Sequence, residues 1–238
     1  MAVDLKEKPA IQSWLCGFSR AIPITLGYIP IGFAYGVLAQ KAGLSPFNVL
    51  AMSIFVYAGS SQLIAVGLFA TMAAPLSIIL TTFVVNLRHL LMSSALARYL
   101  HRWRKAQLAI FAYELTDETF ALHTVGFQNG EPDFTETLAV NLTAQLSWVL
   151  GSWLGLVAGE LITDVKPFAL DYALPAMFIA LLMMQIKNRT QLLVALASGA
   201  LAAGLLLAGL SQWYVILATI LGASLGVILE HWTKPSSS

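Results

Sequence analysis

Charge is what this sequence has least of. Of its 238 residues, 11% are Asp, Glu, Lys or Arg, where soluble domains carry about 25%. So small a stock cannot cover a water-facing surface. The formal net charge of +1 supplies no basic face for a polyanion, so there is no reason to expect a nucleic-acid partner. Cys16 is the single cysteine, which excludes an intrachain disulfide and leaves the redox compartment open. Also missing are the H-E-x-x-H zinc helix, the Walker phosphate loop and the G-x-S-x-G elbow, since Gly59-Ser60-Ser61 lacks the flanking glycine. No cofactor and no metal is expected, and an enzyme is the weaker reading.

What is abundant is apolar sequence: 58% of residues are hydrophobic, against roughly 45–50% in soluble domains. They come in long blocks, the signature of membrane spans. The expected fold is an all-α integral membrane protein with seven to eight transmembrane segments, at 14–38, 47–69, 74–97, 106–125, 137–161, 171–187, 191–210 and 213–231. The sixth has only about 14 residues between its polar ends, short of the roughly 20 that cross untilted. The organisation expected is a polar segment at 1–13, one transporter domain at 14–231 and a frayed tail at 232–238. The first apolar run lacks an A-x-A site and exceeds a signal-peptide core, so it reads as a retained span. Between the third and fourth segments, "RYLHRWRK" carries four bases and no acid; between the fourth and fifth, residues 126–136 carry three acids and no base. The first loop is expected in the cytoplasm and the second outside.

Three interruptions of the apolar pattern carry chemistry. In "RAIPITLGYIPIGFAYG", Pro23 and Pro30 each delete a backbone donor, with Gly27 between them, so the helix is expected to kink or unwind. Either this break shapes a site or it marks a kinked structural helix. In "VYAGSSQL", Gly59, Ser60, Ser61 and Gln62 stand at the middle of the second segment, after Tyr57. Unwound backbone at that depth survives only in buried or water-lined places, and transporters use it to hold carboxylates and cations. The structural alternative has the serines bonded back to their own helix and Gln62 bridging helices. A break near 59–62 facing a break near 23–30 favours a binding site over that alternative.

The third interruption is "TTFVVNLRHLLMSS", with Asn86, Arg88 and His89 inside an apolar run. Intramembrane ionisable residues face a cavity or a partner. The fourth segment offers the partner: Glu114, Asp117 and Glu118, spaced to share one helical face. The basic loop is centred between 101 and 102, so across an antiparallel hairpin Arg88 mirrors position 115. On an ideal helix Asn86 and His89 share a side while Arg88 points about 200° from Asn86. The first two are therefore expected to line the path and Arg88 to brace the neighbour, either as a coupling pair or as a buried register-fixing pair. His89 is a candidate proton carrier or a neutral hydrogen-bonding residue.

In chain order, "PITLGYIPIGFAYG", "YAGSSQ", "NLRHLLM", "LTDETFA" and "LPAMF" resemble the AzlC family, the azaleucine-resistance permeases, over most of residues 14–204. Asn86 stands where an Asp is also acceptable in the family pattern, and it carries no proton itself. The resemblance implies export of branched-chain amino acids such as valine, leucine and isoleucine across the bacterial inner membrane, together with a small AzlD-like membrane subunit. The sequence is compatible with both. The working assignment gives substrate binding to Tyr57, Gly59, Ser60, Ser61, Gln62 and Asn86, with Phe55, Val56, Leu63 and Ile64 around an aliphatic cargo. Pro23, Gly27 and Pro30 shape the break. Arg88, His89, Glu114, Asp117 and Glu118 couple or gate. The glycine stripes Gly151/Gly155/Gly159 and Gly222/Gly226 suit either a partner helix or internal packing. Pro23 and Pro175 each open a break-prone run, which suggests an inverted repeat. The competing functions are a gated channel or facilitator, an intramembrane enzyme using Ser60, and a purely structural subunit.

Overall fold

A computed structural model describes residues 9–130, 133–162, 188–210 and 214–233, with scattered positions between 167 and 186. Every regular element among the described residues is helical: α1 (Ala10–Lys41), α2 (Pro46–Ala51) running into a π-helical turn (Met52–Val56), α3 (Gly59–Ala70), α4 (Pro75–Ala97), α5 (Lys105–Tyr113), α6 (Asp117–Gln128), α7 (Phe134–Gly159), α8 (Arg189–Leu207) and α9 (Tyr214–Thr233). Of these, α1, α4, α7 and α8 are long and apolar enough to cross a membrane. The short sixth segment and the proposed repeat around Pro175 lie largely outside the described residues.

The centre of the molecule is the α1–α7 pair. In hydrocarbon, apolar side chains gain nothing by leaving lipid for protein, so association rests on close van der Waals contact and interhelical hydrogen bonds. Glycines supply the closeness. A Cβ on Gly36 would lie 2.2 Å from the Ser152 carbonyl oxygen, and one on Gly155 would lie 2.1 Å from that of Phe33. Gly32 and Gly151 face each other one turn away, where a Cβ on Gly151 would lie 2.5 Å from the Ile29 carbonyl oxygen. Polar links bind the same two helices: Ser147 Oγ donates to Thr25 Oγ1 at 3.0 Å, Ser13 Oγ to the α7 cap Asp133 at 2.5 Å, and Arg20 pairs with Glu136 at 2.5 Å. The glycine stripe of α7 is thus spent on internal packing, and Gly222 likewise packs against Ser198 of α8.

Two expectations are corrected. First, α1 is continuous through Pro23 and Pro30. Each proline forfeits one hydrogen bond, but both prolines and Gly27 lie on the exposed side of the helix, opposite the α7 contact, and the helix does not unwind there. Gly27 has nothing within 4 Å of a would-be Cβ, so it shapes no site. Second, the fourth segment is divided. Helix α5 ends at Tyr113, α6 restarts at Asp117, and Glu114 to Thr116 form a linker, so the three acids do not share one uninterrupted helical face. The facing pair of breaks is therefore formed by the second and fourth segments.

Replacing Gly155 with Ala should force α1 and α7 apart and cost about 1–3 kcal/mol, read as a lowered melting temperature in detergent. In a Cys16→Ser background, His101→Cys in the α4–α5 loop should react with an impermeant maleimide from the cytoplasmic face. Asn129→Cys, after α6, should react from the opposite face; labelling of both from one side overturns the loop assignment.

Candidate functional site

The site forms where the two interruptions meet. In the second segment the π-helical turn hands over to Tyr57, whose φ of 39° and ψ of 52° are left-handed, a conformation costing a non-glycine residue about 1–2 kcal/mol. The break leaves the Ile54 carbonyl without a helical partner. It is satisfied from outside, by the Tyr113 hydroxyl at the end of α5 and by Gln145 Nε2 of α7 at 3.1 Å. Helix α3 then starts at Gly59. Glycine is required there because a Cβ would fall 2.8 Å from the Trp148 ring.

In the fourth segment Thr116 caps α6, its hydroxyl accepting from the Thr119 amide, while the Thr119 hydroxyl accepts from the Thr116 amide at 2.9 Å. Asp117 and Glu118 occupy the first turn, where the helix dipole favours negative charge. Their partners come from two other helices. Arg88 of α4 lies 2.8 Å from Asp117 and also donates to Ser60 Oγ of α3, so one guanidinium joins both breaks. Tyr28 of α1 donates its hydroxyl proton to Glu118 at 2.5 Å and lies 2.7 Å from Thr116 Oγ1.

These groups enclose a cavity of about 20 Å³, walled by Tyr28, by residues 57–60, by Arg88 and His89, by residues 116–118 and by Trp148. Tyr28 meets Trp148 edge-on at 5.5 Å, and Tyr35 stacks on it at 5.9 Å; such pairs contribute about 0.5–1.5 kcal/mol each beyond contact area. Four polar atoms of wall residues are buried without a hydrogen-bond partner: Tyr57 Oη, Arg88 Nε, His89 Nε2 and Trp148 Nε1. Buried polar groups are normally satisfied, so this wall presents unused bonding capacity to whatever occupies the cavity.

Of the residues expected to bind substrate, Tyr57, Gly59 and Ser60 line the cavity. Ser61 instead donates to the Ala58 carbonyl at 3.0 Å, and Gln62 reaches Ser53 at 3.4 Å in a buried cluster that includes Ser152. Asn86 is not in the wall, and its Oδ1 has no partner. Phe55 and Val56 face outward, and Leu63 is buried in the α1–α7 core. On α4, His89 lines the cavity and Arg88 braces the neighbouring helix as expected, but Arg88 takes the place in the wall expected of Asn86 while α4 stays helical, because a long guanidinium stem reaches where Cβ direction alone does not. Glu114 is buried behind the wall with Oε2 unpartnered. Pro23, Gly27 and Pro30 are outside the site; Tyr28, lying between the prolines on the other face of α1, is the residue that enters it. Tyr28, Ala58, Thr116 and Trp148 escaped sequence reasoning. Only Thr116 left a readable signal, a capping threonine immediately before two acids.

Among the described residues no group of three or more His, Cys, Asp or Glu could hold a metal ion. The Arg88–Asp117 pair predicts a thermodynamic cycle. Arg88→Gln should lower stability by about 3 kcal/mol by stranding a carboxylate, and adding Asp117→Asn should restore part of the loss. Additive losses in detergent melting would mean the pair is not coupled.

A family model for the AzlC protein matches residues 23–162. The chain is 30% identical over 201 residues to the inner membrane protein YgaZ of Escherichia coli, covering 82% of each chain. It is 33% identical over 218 residues to an uncharacterised membrane protein of Archaeoglobus fulgidus, covering 91% of this chain and 93% of that one. It is also 28% identical to the branched-chain amino acid transport protein AzlC of Bacillus subtilis, covering 90% and 85%. No solved structure matches.

Proposed function

The chain belongs to the AzlC family and is a multi-pass membrane protein, and from that premise we propose that it is a secondary transporter exporting branched-chain amino acids such as valine, leucine and isoleucine. The observation that carries this reading is a cavity that offers an uncapped half-helix amino end beside carboxylates at the meeting of two interrupted helices. Discontinuous helices meeting at mid-depth are how secondary transporters hold a small charged cargo. The name of the Bacillus relative favours the branched-chain class over other zwitterions.

The cavity volume of about 20 Å³ accommodates about one water. An amino acid fits only when the half-helices separate, which is the motion that alternating access requires. Arg88 is placed to link cargo and motion, since it bonds Ser60 of one break and Asp117 of the other. Proton coupling is assigned to Asp117 and Glu118, with His89 as the carrier, and a small AzlD-like subunit is the expected partner on the strength of the family resemblance.

The test is export of radiolabelled leucine and valine from cells expressing the chain with and without the co-expressed small subunit, followed by counterflow in proteoliposomes. Uphill counterflow supports a carrier, whereas single-channel current with no counterflow overturns it in favour of a pore. Asp117→Asn should abolish pH-gradient-driven flux while counterflow persists; unchanged gradient-driven flux removes Asp117 from the coupling role.

A further inference from the structure

The two half-helices present amino ends of opposite character to one cavity. Helix α6 is filled by its own residues: Thr116 caps it and Asp117 and Glu118 occupy its first turn. Helix α3 has no such provision. Its cap position is Ala58, which offers no side-chain acceptor, and its first turn holds no acid. The first amide of α3 with a helical partner is that of Gln62, bonded to the Ala58 carbonyl at 3.0 Å. The amides of Gly59, Ser60 and Ser61 therefore precede the helical ladder, and α3 supplies no cap or acid of its own to the positive end of its dipole.

Side-chain charge around the cavity has the complementary imbalance. Arg88 is matched by Asp117 at 2.8 Å. Glu118 remains, held by a neutral hydroxyl from Tyr28, as the carboxylate of the wall without a cation. An independent observation comes from the cavity wall. Trp148 lines the same cavity as the start of α3, is 2% exposed and packs the benzo edge of its ring against Gly59, and its Nε1 has no partner. An indole N–H can only donate, so the missing partner is an acceptor.

Building on the transport reading above, we propose that this asymmetry sets the orientation of the cargo: the α-carboxylate accepts from the bare start of α3 and from Trp148 Nε1, and the ammonium faces Glu118. Recognition then needs both charges of the zwitterion, each at its own end, and the two ends are separable by ligand chemistry. Isoamylamine is leucine without its carboxylate; ketoisocaproate has a carbonyl in place of the ammonium.

The experiment is equilibrium binding of leucine, isoamylamine and ketoisocaproate to the purified full-length chain, co-expressed with the small subunit. Leucine should bind more tightly than either analogue by about tenfold or more. Glu118→Gln should weaken leucine and isoamylamine by about tenfold and leave ketoisocaproate nearly unchanged. Ala58→Asp places a carboxylate on the start of α3, next to existing cavity space. It should weaken leucine and ketoisocaproate while isoamylamine remains bound, with no fall in melting temperature. If that variant misfolds, Ala58→Asn supplies an uncharged cap with the same expected order. The reverse pattern, with Glu118→Gln selectively weakening ketoisocaproate, overturns the orientation, as does equal loss of all three ligands. Wild-type protein that binds neither leucine, valine nor isoleucine overturns the transport reading and the orientation with it.

Discussion

Hydrocarbon offers no partner to a free amide or carbonyl, so each interruption of a membrane helix obliges the rest of the protein to supply one. That constraint organises this molecule. The carbonyl freed at Ile54 takes Tyr113 and Gln145, which brings the end of α5 and the middle of α7 to the first break. The amino end freed at Asp117 is satisfied by its own Thr116 and first-turn acids, and those acids in turn draw Arg88 from α4 and Tyr28 from α1. The polar residues around the cavity are thus consequences of two breaks, and the cavity is the place where their partners converge. The start of α3 is the exception, and it is on that exception that the proposed binding site rests.

Close packing of α1 on α7 makes this convergence possible. Tyr28 and Trp148 reach the cavity from two helices held at glycine distance, and their rings pack against each other before either touches the site. A wider pair would carry both aromatic side chains away from the breaks. The same glycines on either helix read in isolation as surfaces for a partner, since a small-residue stripe looks the same whichever helix fills it.

Much of the site was legible in the sequence because charge is so costly in lipid. Arg88, Asp117, Glu118 and the Gly59-Ser60 stretch stand out against 58% hydrophobic composition, and hairpin arithmetic placed Arg88 at the depth of its carboxylate. Other parts were not legible, for identifiable reasons. Proline marks where a helix can break, but Pro23 and Pro30 face outward and a tight partner on the other side keeps α1 continuous. Tyr28 and Trp148 look like ordinary aromatic residues of a membrane helix, because nothing local distinguishes a wall from a core. Asn86 was favoured over Arg88 by Cβ direction alone, which ignores how far a long side chain bends. The break at 114–116 was hidden because acids spaced three and four apart fit an uninterrupted helix equally well; only the capping geometry of Thr116 separates the two.

The glycine-to-carbonyl contacts between α1 and α7 also dictate the kind of motion open to the protein. Shear requires packed helices to slide past one another with side chains yielding at the interface. Here backbone meets backbone at Gly36 and Gly155, and at those contacts no side chain is present to yield. The pair is a stator. Under the transport cycle proposed above, displacement falls to the pivots at Tyr57–Ala58 and at residues 114–116, where the chain is already out of its helical ladder, and the hinges turn about the α1–α7 frame.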